Sequence, residues 1–219
     1  MSKYKSINEL KENESFNNYL ELFETSNIPI SVLAIHGGKI EPGTSEIAYH
    51  VALNPLIPAP INKKEIYNIY SFIGNRSNNN NSLHITSNLF DELKCLEICK
   101  KSLMTISIHG QKNSEPIIYL GGLDYYCRNI FLKHLLGERF NVSPTTPESI
   151  GGLNEKNIVN KNLRNMGIQI EISAGYRRQM FADYDKKVPW RFEITPIFIN
   201  FVYTLRNAIK ECKKTLINE

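Results

Sequence analysis

Residues 30–46 read ISVLAIHGGKIEPGTSE. The first six form a short apolar run, and a histidine and two glycines close it. An apolar run of this length with a glycine break reads as a strand buried on both faces. Gly37 and Gly38 allow a sharp backbone turn, and residues 45–53 beyond them read as a helix. A buried strand that turns directly into a helix is the opening unit of a layered α/β domain. In such domains sites collect just past the C-terminal ends of the strands, which is where His36 stands.

Further runs extend the pattern on both sides. Residues 66–73 and 83–86 read as strands joined by a mobile surface loop that holds the asparagine run 78–81. Residues 89–101 read as a helix with Ser87 or Asn88 as its N-cap. Strands are expected at 103–108 (LMTISI), 117–120 and 168–173 (IQIEIS). Helices are expected at 125–140, with Leu132, Leu135 and Leu136 on the apolar side, at 157–166, and at 197–216. No linker or repeat interrupts the order, so residues 1–219 are expected to form one α/β domain: a mixed, largely parallel sheet flanked by helices.

Composition narrows the function classes. Of 219 residues, 42% are hydrophobic and 22% charged, which is too apolar for a disordered chain. Lys plus Arg is 26 and Asp plus Glu is 22, a net charge of +4. No basic stripe interleaved with aromatics is present, so no nucleic-acid partner is expected; a non-catalytic phage accessory protein that binds nucleic acid would rest on the mild charge alone. The four cysteines form no CxxC pair and read as buried free thiols of a reducing compartment. The N-terminal stretch has no apolar signal region, and no run reaches the roughly 18 residues of a spanning helix. The expectation is a cytoplasmic chain, released at host lysis if phage-encoded, with no membrane partner and a monomeric state favoured.

The chemistry begins at His36. Glu41 lies five residues on, within reach of the same point through a tight loop. The strand 103–108 also ends in His-Gly, at His109 and Gly110. Each histidine alone reads more readily as a hydrogen-bonded strand-end residue than as a metal ligand. Two strands ending alike, with Glu41 between them, bring a metal reading level with that one. Imidazole and carboxylate are zinc ligands at about 2.0–2.2 Å, and a catalytic zinc takes three protein ligands and keeps one position open.

In the strand 168–173 three isoleucines share one face, and Gln169, Glu171 and Ser173 share the other. Glu171 is therefore the polar side of an edge strand, or a site carboxylate able to take a proton from the attacking water. Arg177 and Arg178 follow. They read as a solvated basic turn, or as donors to an oxyanion or a substrate carboxylate. His84 reads as a structural histidine hydrogen-bonded near the site, and Asp124 with Arg128 as a local helical pair.

These residues, with HGGKIEPGTSEIA (36–48), SLHITSNLFDE (82–92), ISIHG (106–110), GGLD (121–124) with Arg128, NIVNKN (157–162) and GIQIEIS (167–173), resemble the phage-type poly-γ-glutamate hydrolases. That family is similar to the zinc carboxypeptidases, and the matching motifs run in order over residues 4–215. The resemblance implies a compact carboxypeptidase-like fold and hydrolysis of γ-glutamyl amide bonds in poly-γ-glutamate, the capsule polymer of some Gram-positive bacteria. It implies Zn2+ held by His36, Glu41 and His109, and Glu171 as the catalytic carboxylate. Two positions depart from the pattern. Lys161 follows Asn160 where Asn-Arg is common, and a lysine lacks the bidentate fork. Lys39 stands where a third glycine is frequent, which puts a cation beside the metal loop. Lys39, Arg128, Asn160, Lys161 and Arg164 are expected to line subsites for an anionic polymer or peptide-like substrate. A second enzyme reading keeps the site but changes the substrate to a small N-acyl amino acid or a peptidoglycan stem peptide. A long open groove favours the polymer and a closed pocket the small molecule. A zinc-binding relative without turnover is the remaining possibility.

Overall fold

The apolar runs at 30–35, 66–73, 103–108 and 168–173 lie side by side as the centre of one six-stranded sheet. The computed structural model describes residues 3–56 and 65–217. In chain order the elements are α1 (Ile7–Asn13), β1 (Tyr19–Glu24), β2 (Ile30–Gly38), α2 (Thr44–Leu53), β3 (Asn68–Gly74), α3 (Leu93–Lys100), β4 (Met104–Gln111), β5 (Ile118–Gly121), α4 (Tyr125–Gly137), β6 (Ile168–Ser173), α5 (Ala174–Met180) and α6 (Pro196–Ile217). The strand order is β1-β3-β2-β4-β6-β5. The four inner strands run parallel, and β1 and β5 pair antiparallel at the two edges. The expected mixed, largely parallel sheet is what forms.

Alternation along the inner strands divides the core in two. Ile30, Val32 and Ala34 of β2 face the cluster shared with α2, α4 and α6. Leu33 and Ile35 face the opposite layer, where Tyr70, Phe72, Phe90, Cys95 and Ile7 pack. Both faces are thus covered, as a parallel sheet requires. Helix α6 buries Phe198, Phe201, Val202, Leu205, Ala208, Ile209 and Cys212, one stripe at helical spacing. All four cysteines are free and buried. No helix among the described residues is long and apolar enough to cross a membrane.

Several expected elements differ. Residues 83–86 do not join the sheet: a 3₁₀ turn at Asn80–Leu83 leads into an extended segment. Its cause is Asn80, whose side chain accepts from Arg76 N (2.9 Å) and donates to Arg76 O (2.9 Å). The asparagine run is an ordered turn rather than a mobile loop. The helix expected from 89 starts at Leu93 and is capped by Glu92, which accepts from Cys95 N at 2.7 Å; neither Ser87 nor Asn88 is the cap. Residues 157–166 hold one 3₁₀ turn at Ile158–Asn160 instead of a helix. Asn157, Asn160 and Asn162 bond nearby backbone there, which competes with helical pairing. In α4 the buried residues are Cys127, Ile130, Phe131 and Leu135, while Leu136 is exposed. Helices α1 and α5 and the edge strand β1 had no clear pattern: β1 leaves Leu20 and Phe23 exposed, and α1 and α5 are each 7 residues long.

Candidate metal centre

Strands β2 and β4 are parallel neighbours, so His36 and His109 come together past their C-terminal ends. The turn after His36 is set by packing. A Cβ on Gly37 would lie 1.7 Å from Ser45 Oγ, so only glycine lets α2 fold back this closely. Glu41 N then donates to His36 O at 2.8 Å, and this tight loop returns the Glu41 carboxylate to the histidine that precedes it.

The ligand atoms converge. His36 Nδ1 and His109 Nδ1 are 3.2 Å apart. Glu41 Oε1 is 3.1 Å from His36 Nδ1, and Oε2 is 3.7 Å from His109 Nδ1. Tetrahedral ligands on bonds of about 2.0–2.2 Å stand roughly 3.3–3.6 Å apart; the three spacings lie within a few tenths of an ångström of that range, and the three residues could hold one ion. The far sides of the rings are committed. His36 Nε2 lies 2.6 Å from Ile85 O, a pure acceptor, so Nε2 carries the proton and Nδ1 presents its lone pair. His109 Nε2 lies 2.8 Å from Ser107 Oγ; with its proton on Nε2, His109 too presents Nδ1. A cation between the two Nδ1 atoms would be held by both lone pairs, and the donor set fits a metal. Partners on the outer nitrogen fix ring orientation and tautomer in this way. Glu41 is held further by Gly110 N, which donates to its Oε2 at 2.8 Å. Burial opposes the Glu41 charge, but the imidazoles of His36 and His109 hold its carboxyl well below the usual range.

Glu171 is the register partner of His109 across β4 and β6. Because β6 lies inside the sheet, its carboxylate is 5% exposed, and the edge-strand reading is excluded. Burial pushes its pKa up to about 7 against the pull of His109, a value suited to accepting and returning a proton near neutrality. Gln169 Nε2 donates to Glu171 Oε1 at 2.9 Å and to Ile150 O at 2.9 Å, and Gln169 Oε1 accepts from Asn157. This chain fixes the carboxylate. Sequence reasoning missed Gln169 and Ser107 as site residues. The signal was the two-residue spacing of Ser107 with His109 and of Gln169 with Glu171, which puts each pair on one face of its strand. The Ile85 carbonyl left no signal, since any residue supplies one.

His84 stacks on His36, with ring centroids 3.8 Å apart, and lines the cleft above the ligands. Its Nε2 is 3.8 Å from Glu41 Oε1. Burial and the neighbouring His36 push its pKa down to about 4, so it is neutral at pH 7.

Arg177 is buried, and its three guanidinium nitrogens each donate to a backbone carbonyl: Nε to Ile172 O (3.1 Å), Nη1 to Pro42 O (2.7 Å) and Nη2 to Gln111 O (2.9 Å). It ties the metal loop to β4 and β6, and three of its five N–H donors are used in doing so. Arg178 is exposed, with Nε 3.4 Å from Asp185. Both arginines line the same cleft of about 620 Å³ as Glu41, Gly110 and Lys112.

The remaining expected residues lie outside this cleft. Lys39 borders an adjoining one and points Nζ at the carbonyls of Asn75 and Arg76. Asn160 is buried, donating to Gly152 O and Asn154 O and accepting from Gly167 N. Its bonds are structural. Lys161 borders a separate cleft with Lys5 and Lys156. The Asp124–Arg128 pair does not form. Asp124 caps α4 and pairs with Arg164 at 2.7 Å, while Arg128 donates to Gly122 O. The structure therefore brings together His36, Glu41, His109, Glu171, Arg177 and Arg178, and leaves Lys39, Arg128, Asn160, Lys161 and Arg164 apart from them.

Comparison with known proteins follows the same lines. The profile of a family described as poly-gamma-glutamate hydrolase matches residues 4–204. The SPbeta prophage-derived protein YoqZ of Bacillus subtilis (strain 168) is 38% identical over 183 residues, 83% of this chain and 62% of the relative. YndL of the same organism is 35% identical over 185 residues, 84% of this chain and 69% of the relative. The match thus spans about three-fifths of the length of YoqZ. Among solved structures, a zinc-free apo form of YndL matches with a TM-score of 0.85 at 30% identity, covering 97% of this chain and 99% of that one. A bacteriophage poly-gamma-glutamate hydrolase matches with a TM-score of 0.87 at 26% identity, covering 98% and 100%.

Proposed function

The chain belongs to the poly-gamma-glutamate hydrolase family, and on that premise we propose that it hydrolyses γ-glutamyl amide bonds in poly-γ-glutamate or a closely related polyanion, using zinc held by His36, Glu41 and His109. The observation that carries this reading is the pair of imidazoles whose Nδ1 atoms face one another at 3.2 Å with both Nε2 atoms already committed. Two nitrogens and a carboxylate oxygen suit zinc among the common divalent ions, and the existence of a zinc-free form of YndL supports the same choice. When bound, zinc supplies Lewis-acid polarisation of the scissile carbonyl and acidifies the attacking water.

The chain's own residues do the rest. Glu171 takes the proton of the attacking water and later delivers it to the leaving amine. Its desolvated position suits both halves of that transfer. Gln169 keeps the carboxylate from turning away between the two steps. Arg177 fixes the loop that carries Glu41, and Arg178 and Lys112 offer exposed cations to substrate carboxylates. The cleft over the ligands shares Pro42, Asn81 and Tyr184 with a second cleft and Thr86 with a third. Adjoining open clefts of this kind favour a polymer over a small enclosed substrate.

The test is direct. Purified protein loaded with zinc is incubated with poly-γ-glutamate, and chain length is followed by size-exclusion chromatography. Shortening that disappears in Glu171→Gln, while one zinc per chain is retained, supports the reading. An unchanged polymer with zinc bound removes it.

A further inference from the structure

The three adjoining clefts differ in charge. The central one, over the ligands, is bordered by Lys112, Arg177 and Arg178. The one beyond Tyr184 is bordered by Lys39, Lys186, Lys187 and Arg191, with Asp185 as its one acidic residue. The one beyond Thr86 has Glu148 as its only charged lining residue, among serines, asparagines and Gln169. Tyr184 is the wall shared by the two basic clefts. The guanidinium centres of Arg177, Arg178 and Arg191 lie 5.7, 5.3 and 5.6 Å from its ring centroid. Arg177 and Arg191 are held within the fold, Arg177 by three backbone carbonyls and Arg191 by Tyr184 O, Lys186 O and the buried Glu46. Arg178 is matched only by exposed Asp185.

We propose that the substrate polyanion is read by charge on one side of the scissile bond only, along the Tyr184 side of the metal, while the Thr86 side accepts a short chain end without a cationic partner. The proposal rests on the hydrolase reading given above. A γ-glutamyl chain carries one free carboxylate per residue. Its carboxylates would meet Lys112 and Arg178 over the ligands, then Lys187 and Lys186 beyond Tyr184, where the substrate would compete with exposed Glu193 for Lys186. On the other side Glu148 repels them. Complementary surface charge raises encounter rate and fixes orientation more than it adds affinity, and salt screens it. Recognition on the Tyr184 side should therefore be strongest in low salt. The consequence is a lopsided cut: the fragment leaving on the Thr86 side can be short, while the fragment on the Tyr184 side must span the basic clefts.

The experiment uses defined γ-glutamate oligomers carrying a fluorophore at either the amino or the carboxyl end. Binding is measured on zinc-loaded Glu171→Gln protein, and cleavage on the active enzyme. Lys186→Glu/Lys187→Glu should weaken binding of long oligomers by about tenfold at low salt and of the dimer by less than twofold. Glu148→Gln should leave binding the same or tighten it. In the limit digest, one labelled end should appear as fragments of one or two residues and the other only as longer ones. Equal minimum lengths from both ends, or a lysine double variant that weakens all oligomers alike, overturns the proposal while leaving hydrolysis intact. Binding with the predicted length dependence but no cleavage overturns the hydrolase reading and supports the groove assignment. Absence of both overturns both. Unchanged circular dichroism and thermal midpoints keep the variants interpretable.

Discussion

A single added methyl at Gly110 tests how the metal loop is built. The Arg177 guanidinium lies against the Gly110 backbone, and a Cβ there would stand 2.5 Å from its Cζ, 2.7 Å from Nη1 and 2.9 Å from Nε. Carbon contacts settle at about 3.5–4.0 Å, so Gly110→Ala must push the guanidinium off by about 1 Å. That breaks or bends its bonds to Ile172 O, Pro42 O and Gln111 O. A hydrogen bond from a charged donor contributes about 1.5–3 kcal/mol. Arg177 also borders the cleft, so the displaced group regains water, and a net cost of about 2–4 kcal/mol is expected. For a chain of this size that is a fall in Tm of roughly 5–15 °C. Zinc affinity should fall too, because Pro42 and Gly110 N both hold Glu41 in place. The assay is thermal unfolding of the wild type, Gly110→Ala, Arg177→Met and the double variant. Once Arg177 is gone the methyl has nothing to displace, so its cost should drop below about 1 kcal/mol. Strict additivity of the two substitutions would refute the reasoning.

Ser107→Ala removes the hydrogen-bond partner behind His109 and should lower zinc affinity about 10–100-fold, read by competition with a chromophoric chelator. Glu171→Gln keeps the Gln169 contact but cannot accept the proton; turnover should fall by about 10²–10⁴ with zinc content unchanged in metal analysis. Glu46 offers a pH test away from the ligands. It is fully buried, and burial raises its pKa to about 7 despite Arg191. A carboxyl raised in the folded state contributes stability that is complete below its ordinary value of about 4.3 and is lost as pH climbs through 7. The shift corresponds to about 3–4 kcal/mol. Relative to Glu46→Gln, the wild type should therefore lose about that much stability between pH 4.5 and 8 in urea titrations; a difference that stays flat with pH would contradict the burial argument.

The central strands were legible because burial on both faces leaves almost no polar residue in the runs 30–35 and 103–108, and Gly37 and Gly110 mark where each stops. The edges were not. Strand β1 exposes Leu20 and Phe23, so burial imposes no clean alternation on it. The asparagine-rich stretches misled in two directions. At 157–166 the helical periodicity was overruled by side chains that bond their own backbone, and at 78–81 low complexity concealed an ordered turn anchored by Asn80.

The histidine ligands were legible for a related reason: each stands where an apolar strand ends, so its polarity contrasts with everything before it, and Glu41 lies in the short loop that follows the first of them. The substrate-side expectations had no such contrast. Arg128, Asn160 and Arg164 were polar residues near matching motifs, and the structure uses them on helix α4, the Gly152 segment and Asp124. A cation or amide in a sequence does not reveal whether a carbonyl within the fold already claims it. Arg177 makes the point most sharply. The sequence offered a solvated basic turn or a substrate-facing donor, and the folded chain adds a third role: its fork bonds three main-chain oxygens from three segments that are distant from one another in sequence. Backbone acceptors are the same at every residue, so a role defined by them is fixed only when the chain has folded. Side chains defined by contrast with their neighbours, such as His36, Glu41 and His109, declare themselves earlier.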